Sequence, residues 1–200
     1  MTGERIDQLR SAGDQPGGRP AAPGPLAVVQ AFVNTHFDLG ARFGEDGLHS
    51  PAALADWMRG AGWAPSGPLG AADLAFALAL RESLRDAAAV GSDRDAATVV
   101  GARLDAIAAR SRVELRFGPS GPTVTGARSA GLPGATGALL AIVAEGMRDG
   151  SWSRMKVCPG EHCGWLFYDG SRNRSGRWCS MSVCGGRVKA RRHYRRVRGA

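Results

Sequence analysis

No apolar run in this 200-residue sequence approaches the roughly 18 residues that a bilayer-spanning helix needs. No basic stretch followed by an apolar segment opens the chain, so a secretory leader is not expected. The sequence therefore reads as a soluble cytoplasmic protein without a membrane partner. Self-similarity at a period of about 20–50 residues is missing, which argues against solenoids and propellers. Glycine-rich phosphate loops between strand and helix, and a serine nucleophile elbow, are also missing. His36 and His49 stand apart from carboxylates and thiols, and read as surface or capped side chains. Glu82, Asp86 and Asp105 have arginines nearby and read as solvated ion pairs. With no general base beside a nucleophile, the expectation is a protein that is not an enzyme.

What is present is enough for a core. Hydrophobic residues make up 44% and charged residues 22%, a composition that can bury a globular body. Residues 1–25 are rich in Gly, Pro, Arg and Gln, and are expected to be disordered because they offer little to bury. The apolar run from Leu26 to Thr35 reads as buried. Ser50 followed by Pro51 marks a helix start, with Leu54, Trp57 and Met58 at helical spacing. Residues 71–90 predict a second helix with Leu74, Leu78 and Leu84 inside. Residues 95–110 predict a third, with Val99, Leu104 and Ile107. Alternation from Val113 to Phe117, a Gly-Pro-Ser-Gly turn and a return over 122–125 predict a short hairpin. Residues 137–148 predict a fourth helix with Leu139, Leu140, Ile142, Val143 and Met147 inward. Trp57, Trp63 and Phe76 could line a pocket for a small-molecule ligand.

Charge and cysteine are both unevenly placed. Residues 151–200 hold twelve Lys and Arg against Glu161 and Asp169, a formal +10, which leaves −2 on the first 150 of a chain that is +8 overall. All four cysteines lie in that basic segment. The expected organisation is therefore a helical body over 26–150 and a basic module over 151–200, with the body able to fold alone. Such asymmetry points to a polyanionic partner. Cys158 and Cys163 form one pair, Cys179 and Cys184 another, each with four residues between and 15 separating the pairs. Disulfides and isolated core cysteines are the alternatives, and reducing conditions disfavour the first. One zinc ion explains the spacing best, since four thiolates supply its tetrahedron and close it to water, making the site structural. His162 and His193 are substitute ligands of lower standing. The glycines after Cys163 and Cys184 are expected to let amides approach the sulfurs. Between the pairs, Trp165 to Asp169 is strand-like, a polar loop follows, and Arg177 to Cys179 returns. Ser180 then caps a helix to about Val197, with an apolar seam of Val183, Ala190, Tyr194 and Val197 and a broad arginine face. The fold class is thus mainly α: an Ala-rich helical domain with a short β-hairpin, followed by a small treble-clef-like zinc finger made of a hairpin and a C-terminal helix.

The run from Cys163 through the Ser171-Arg-Asn-Arg-Ser-Gly-Arg loop to Cys179 and the Cys184-Gly-Gly-Arg187 segment resembles the CGNR zinc finger family. Phe32-Val33-Asn34-Thr35 and the Leu54 to Trp57 segment are similar to the ABATE domain that precedes it in bacterial proteins. The resemblance implies Cys158, Cys163, Cys179 and Cys184 as zinc ligands. It implies nucleic-acid contacts at Arg172, Asn173, Arg177, Arg187 and Lys189, to which the charge pattern adds Arg174, Arg191, Arg192 and Arg195. Two positions depart: Gly186 stands where the naming motif has Asn, and Gly176 where Arg is frequent. The function expected is a zinc-dependent, duplex-DNA-binding transcriptional regulator connected with stress, its helical body sensing a ligand or forming a homodimer. An RNA- or ribosome-binding module and a protein-interaction adaptor are the rival readings.

Overall fold

The computed structural model describes residues 15–36, 46–91, 93–119, 121–127 and 131–198. Helix α1 (Leu26–Val33) is the centre of the molecule. It is buried almost all round, through Leu26, Ala27, Val28, Val29, Gln30, Phe32 and Val33, as expected of a helix that is apolar except at Gln30. Helices α2 (Pro51–Gly60), α3 (Ala71–Ala89), α4 (Arg94–Ala108) and α5 (Gly131–Asp149) pack around it or on one another. Their starts follow from capping chemistry. The Ser50 hydroxyl accepts the Ala53 amide at 3.1 Å. Asp73 takes the Gly70 amide at 2.8 Å, and Asp93 takes that of Ala96 at 3.0 Å. Each satisfies a donor that the first helical turn leaves open.

Strands β1 (Val113–Gly118) and β2 (Gly121–Gly126) form the expected antiparallel hairpin, with Leu115 opposite Val124. Helix α5 begins six residues before the expected 137, because Gly131, Pro133, Gly134 and Gly137 read as loop. The glycine at 137 is there for close approach: a Cβ would lie 2.3 Å from the Arg112 carbonyl oxygen. Two further expectations of the core fail. Met147 on α5 is half exposed and Val99 on α4 is 63% exposed, while neighbouring Val100 is buried. One residue is 100° on a helix, so Val99 and Val100 could not both face inward.

Three features tie the helical body to the basic module, and two of them correct the expected arrangement. First, β3 (Met155–Val157) pairs antiparallel with β4 (Leu166–Tyr168), Lys156 opposite Phe167. The second cysteine pair is not reached by a returning strand: Arg177 to Cys179 is irregular. Second, period-2 alternation makes this small hairpin a shared wall. Leu166 and Met155, with Trp152, belong to the body core; Phe167 belongs to the cysteine core. Third, the expectation of disorder over 1–25 is wrong for 15–25; residues 1–14 lie outside the described residues. Ala22 is buried, and Gln30 accepts its amide at 2.7 Å. Buried backbone must find partners; the Ala22 amide finds its own on α1, and the side chains of Arg19 and Gln15 reach the basic module.

Among the arginines of α3, Arg81 does not make the solvated pair expected near Glu82. It is 4% exposed, bonded to both Asp46 oxygens at 2.6 and 2.7 Å and to Glu82 at 2.8 Å. Burial, which alone would raise the Asp46 and Glu82 carboxyls, is outweighed at Asp46 by the Arg81 guanidinium and at Glu82 first by that of Arg85, bonded at 2.9 Å, and then by that of Arg81, so both are held below their ordinary values. Asp86 does make the expected exposed pair, with Arg103 at 2.7 Å. Among the described residues no helix is long and apolar enough to cross a membrane.

Candidate metal centre and its basic surroundings

The first cysteine pair sits on the turn that joins β3 to β4. Cys158 follows β3, and its amide bonds the Trp165 carbonyl at 2.9 Å, while the Cys163 amide bonds that of Gly160 at 2.9 Å. His162 and Gly164 take positive φ, 58° and 66°, to curl the turn back. Of the second pair, Cys179 precedes a single π-helical turn, Met181–Gly185, and Cys184 lies within it. Ser180 caps it, accepting the Val183 amide at 3.2 Å, as its sequence position predicts. That turn lifts Cys184 back over Cys179 before α6 (Gly186–Arg198) begins.

The four sulfurs lie within 4.8 Å of one another, and all four residues are buried. Cys163 and Cys179 are 3.7 Å apart, Cys179 and Cys184 3.6 Å. Four sulfurs about 2.3 Å from one zinc ion stand about 3.8 Å apart along each tetrahedral edge. The donor set and its spacing therefore fit zinc. His162 is exposed and outside this cluster, and the His193 side chain lies outside the described residues. Sulfur crowding polarises the thiols. Hydrogen bonds from Cys163 and Cys179 draw Cys158 down to about 2, helped by the amides of Cys179 and Gly160. Its bond to Cys158 pushes Cys163 up to about 12, and Cys179 and Cys184 also shift upward. Metal capture then requires the remaining thiol protons to leave. Of the two glycines expected beside the sulfurs, Gly164, with its φ of 66°, leads into the Trp165 amide that bonds the Cys163 sulfur; Gly160 is a further one, where a Cβ would lie 3.1 Å from the Cys184 sulfur.

Interactions that the sequence does not announce clamp this centre to the body. Asn34 pairs with the Leu166 backbone in both directions, donating to its oxygen and accepting from its nitrogen at 2.8 Å each. Arg85 reaches from α3 to the carbonyls of Gly164, Val33 and His36. From the N-terminal segment, Arg19 donates to the carbonyls of Cys179, Trp178 and Tyr168 and lies 4.8 Å over the Phe167 ring. Gln15 accepts from the Trp165 indole at 3.1 Å. Arg19 is hidden by its setting, since composition alone makes that stretch look unable to order.

Below the zinc turn, Asp169 is fully buried and organises the basic loop. It accepts from Lys156 at 2.7 Å, from the Ser171 hydroxyl and amide at 2.7 and 3.1 Å, and from the Gly176 amide at 2.8 Å. Burial would raise its pKa, yet these donors, led by Lys156, hold it far below the ordinary carboxylate range. A Cβ at Gly176 would come within 2.7 Å of the Asp169 carboxylate. The departure from arginine at 176 is thus matched to this close approach. Gly186 differs: its φ of −62° and ψ of −44° are helical, and a Cβ would meet only the Met181 oxygen at 3.6 Å. Gly186→Ala is expected to stabilise α6 by about 0.5–1 kcal/mol, read as slower amide hydrogen exchange along α6 with zinc content unchanged. Exchange that stays as fast would show that other forces limit the helix.

Arg172, Asn173, Arg174 and Arg177 are all exposed on the loop, and Arg187 and Lys189 are exposed on the first turns of α6. Arg174 holds a left-handed φ of 51° and touches the Ser153 hydroxyl at 3.3 Å. Arg177 lies 5.9 Å over the Trp178 ring. The side chains of Arg191, Arg192, Arg195 and Val197 lie outside the described residues. The apolar seam expected on α6 is reduced to its beginning. Val183 packs on the cysteine core, whereas Ala190 and Tyr194 are exposed, with Arg198 stacked 4.6 Å over the tyrosine ring.

Compared with known families, residues 154–197 match the CGNR zinc finger. Residues 26–149 match ABATE, described as "Putative stress-induced transcription regulator". The chain belongs to the ABATE family. In this ABATE protein the two matches meet at the 150–153 turn, and the four buried cysteines form the structural zinc site of the CGNR finger. No curated protein matches the chain. The 15–25 strap precedes both matched regions, yet it bonds to the finger.

Proposed function

We propose that this ABATE protein is a transcriptional regulator whose zinc finger binds duplex DNA and whose function is binding, not catalysis. The observation that carries the reading is the exposure of Arg172, Asn173, Arg174, Arg177, Arg187 and Lys189 around one buried all-cysteine centre. Phosphate contacts from such donors set affinity, and Arg or Asn paired to base edges sets specificity. The polar backbone of the loop is held by Asp169, so its arginines are presented on an ordered support. The zinc ion would be held by Cys158, Cys163, Cys179 and Cys184 and would supply rigidity only. The helical body is read as the ligand-sensing or self-association part. Trp57 already packs against Phe32 at 4.8 Å and Trp63 at 5.8 Å, so a ligand there must displace aromatic packing, and self-association is the more economical role.

Selection of bound sequences from a genomic DNA pool by the zinc-loaded protein tests the reading. Changing Arg187, Arg191 and Arg195 together to Ala is expected to weaken duplex binding with zinc content and melting almost unchanged. The slope of log K against log salt should fall by roughly 0.9 for each phosphate that is no longer neutralised. Arg172→Ala and Asn173→Ala should instead cost about 1–3 kcal/mol of discrimination per bidentate base pairing, with little change in slope. Preference for single-stranded RNA in competition would favour the RNA module. Unaltered affinity in the triple variant would move the reading to a protein adaptor.

A further inference from the structure

The β1–β2 hairpin is built inside out. Val113, Leu115 and Phe117 alternate on one face of β1, and their partners across the ladder include Pro122 and Val124. This is the exposed face: Phe117 is 79% exposed, Leu115 58%, Val124 49% and Val113 43%. The opposite face, with Glu114 and Thr125, is the more sheltered one. Two-faced strands normally bury the apolar side, and an exposed contiguous apolar patch marks an interaction surface.

The free edge of the same strand points to the occupant. β2 lies more closely against α5 than β1 does, and Pro122, which has no amide to offer, guards its outer side, so among the described residues the open edge of this two-stranded sheet is that of β1. Ala127 donates to the Arg112 carbonyl at 2.9 Å, which puts the hydrogen-bonded pairs of the hairpin at even-numbered positions of β1. In an antiparallel ladder the intervening residues turn their amides and carbonyls outward. Val113, Leu115 and Phe117 therefore present their backbone groups along the edge. No proline or lysine guards positions 113–117, although such guards are the usual protection of an open edge.

Laid antiparallel on itself about Leu115, the sequence Val113-Glu114-Leu115-Arg116-Phe117 is its own complement. Leu115 meets Leu115, Val113 meets Phe117, and Glu114 meets Arg116 in both directions. The register also joins outward-facing backbone to outward-facing backbone. Such self-complementarity is what a two-fold interface requires of one surface patch. Aromatic, aliphatic and opposite-charge cross-strand pairs are the favourable ones. Within one chain Glu114 and Arg116 already bond each other at 2.5 Å, and pairing would exchange these partners between copies. We infer that this ABATE protein forms a homodimer by β1–β1 pairing, giving a continuous four-stranded sheet centred on Leu115. This deepens the self-association part of the proposed function and is independent of nucleic-acid binding.

Sedimentation velocity of the full-length, zinc-loaded protein across the micromolar range is the test. A concentration-dependent dimer is expected. Leu115→Lys sets two cations face to face and should weaken the dimer about 10-fold or more, as should Arg116→Glu, which opposes two carboxylates on each side. Glu114→Arg combined with Arg116→Glu should restore it, because the exchanged charges again oppose correctly. These side chains are exposed or half-buried at the surface, so helical content and zinc content serve as controls for folding. Directly paired backbone residues have Cα atoms about 5.5 Å apart, within disulfide reach. Leu115→Cys should therefore cross-link two copies under mild oxidation much faster than Glu114→Cys, whose own counterpart is displaced in this register. A wild-type protein monomeric throughout, a dimer indifferent to all three charge variants, or equal cross-linking of the two cysteines would overturn the inference. DNA affinity is measured separately, and its absence would count against the finger's role only.

Discussion

Cys163→Ser is expected to release zinc and to lower the melting temperature of the whole chain, the helical body included. A serine hydroxyl is a poor substitute for a soft thiolate at an all-sulfur site. Binding free energy at structural zinc sites is of order 10 kcal/mol or more, and it is folding free energy for whatever the metal holds together. Here it holds more than the finger. Phe167 packs on the cysteines while its neighbour Leu166 is buried in the body core, beside Met155 and Trp152. If the finger opens, this packing in the body loosens with it. Burial of each large apolar side chain is worth about 2 kcal/mol, and the bonds that Asn34 and Arg85 make to the finger backbone break as well. Calorimetry with zinc determination measures the effect. A single transition moved well below that of the native protein is expected, and chelation of the native protein should reproduce it. A body that melts at the native temperature after zinc loss would show that the two cores are energetically separate. The same reasoning makes a chain shortened to residues 1–150 less stable than the charge partition alone suggests, since it lacks Trp152, Met155 and Leu166.

Asp169→Ala should be the next most damaging change, although it touches neither zinc nor any expected nucleic-acid contact. It leaves Lys156, whose side chain is only 28% exposed, with the Arg174 and Gly176 carbonyls but no counter-charge, and leaves the Ser171 and Gly176 amides without their acceptor. Removing one partner of a buried ion pair costs about 3 kcal/mol, and the loop of Arg172 to Arg177 should lose its fixed shape. The pH dependence carries the same signature. The folded-state pKa of Asp169 is depressed, so its stabilisation is fully present above the ordinary carboxylate value near 3.8 and is lost as pH falls below it. Asp169→Ala should therefore flatten the acid limb of the stability profile. Melting temperature against pH for native and variant proteins measures this. An unchanged acid limb would mean that other carboxylates, Asp46 and Glu82 among them, govern acid unfolding.

Local chemistry is legible from residues alone. Ser50 and Pro51 start a helix because capping is decided within a few residues, and α1 is central because it is apolar except at Gln30. The zinc site is legible for a related reason: two cysteine pairs specify a ligand set whatever surrounds them, and the resemblance to the CGNR finger names the same four residues. Strand β3 is not legible, because three residues, Met155–Val157, carry no periodic signal of their own. It is a strand because β4 lies beside it. The strap over 15–25 reads as disordered because its apolar content is low, yet Arg19 meets three carbonyls and an aromatic face that only the assembled finger provides. Glu82 reads as half of a solvated ion pair with a nearby arginine, and the burial of Arg81 and Arg85 with carboxylates and carbonyls is a property of the packed α3 neighbourhood. The helices, the hairpin β1–β2 and the four metal ligands are thus written in the chain itself, because capping, alternation and ligand chemistry act over short spans. That finger and body share one wall at β4 is settled by packing, because which face of Leu166-Phe167 meets which core depends on what the rest of the chain brings to each side.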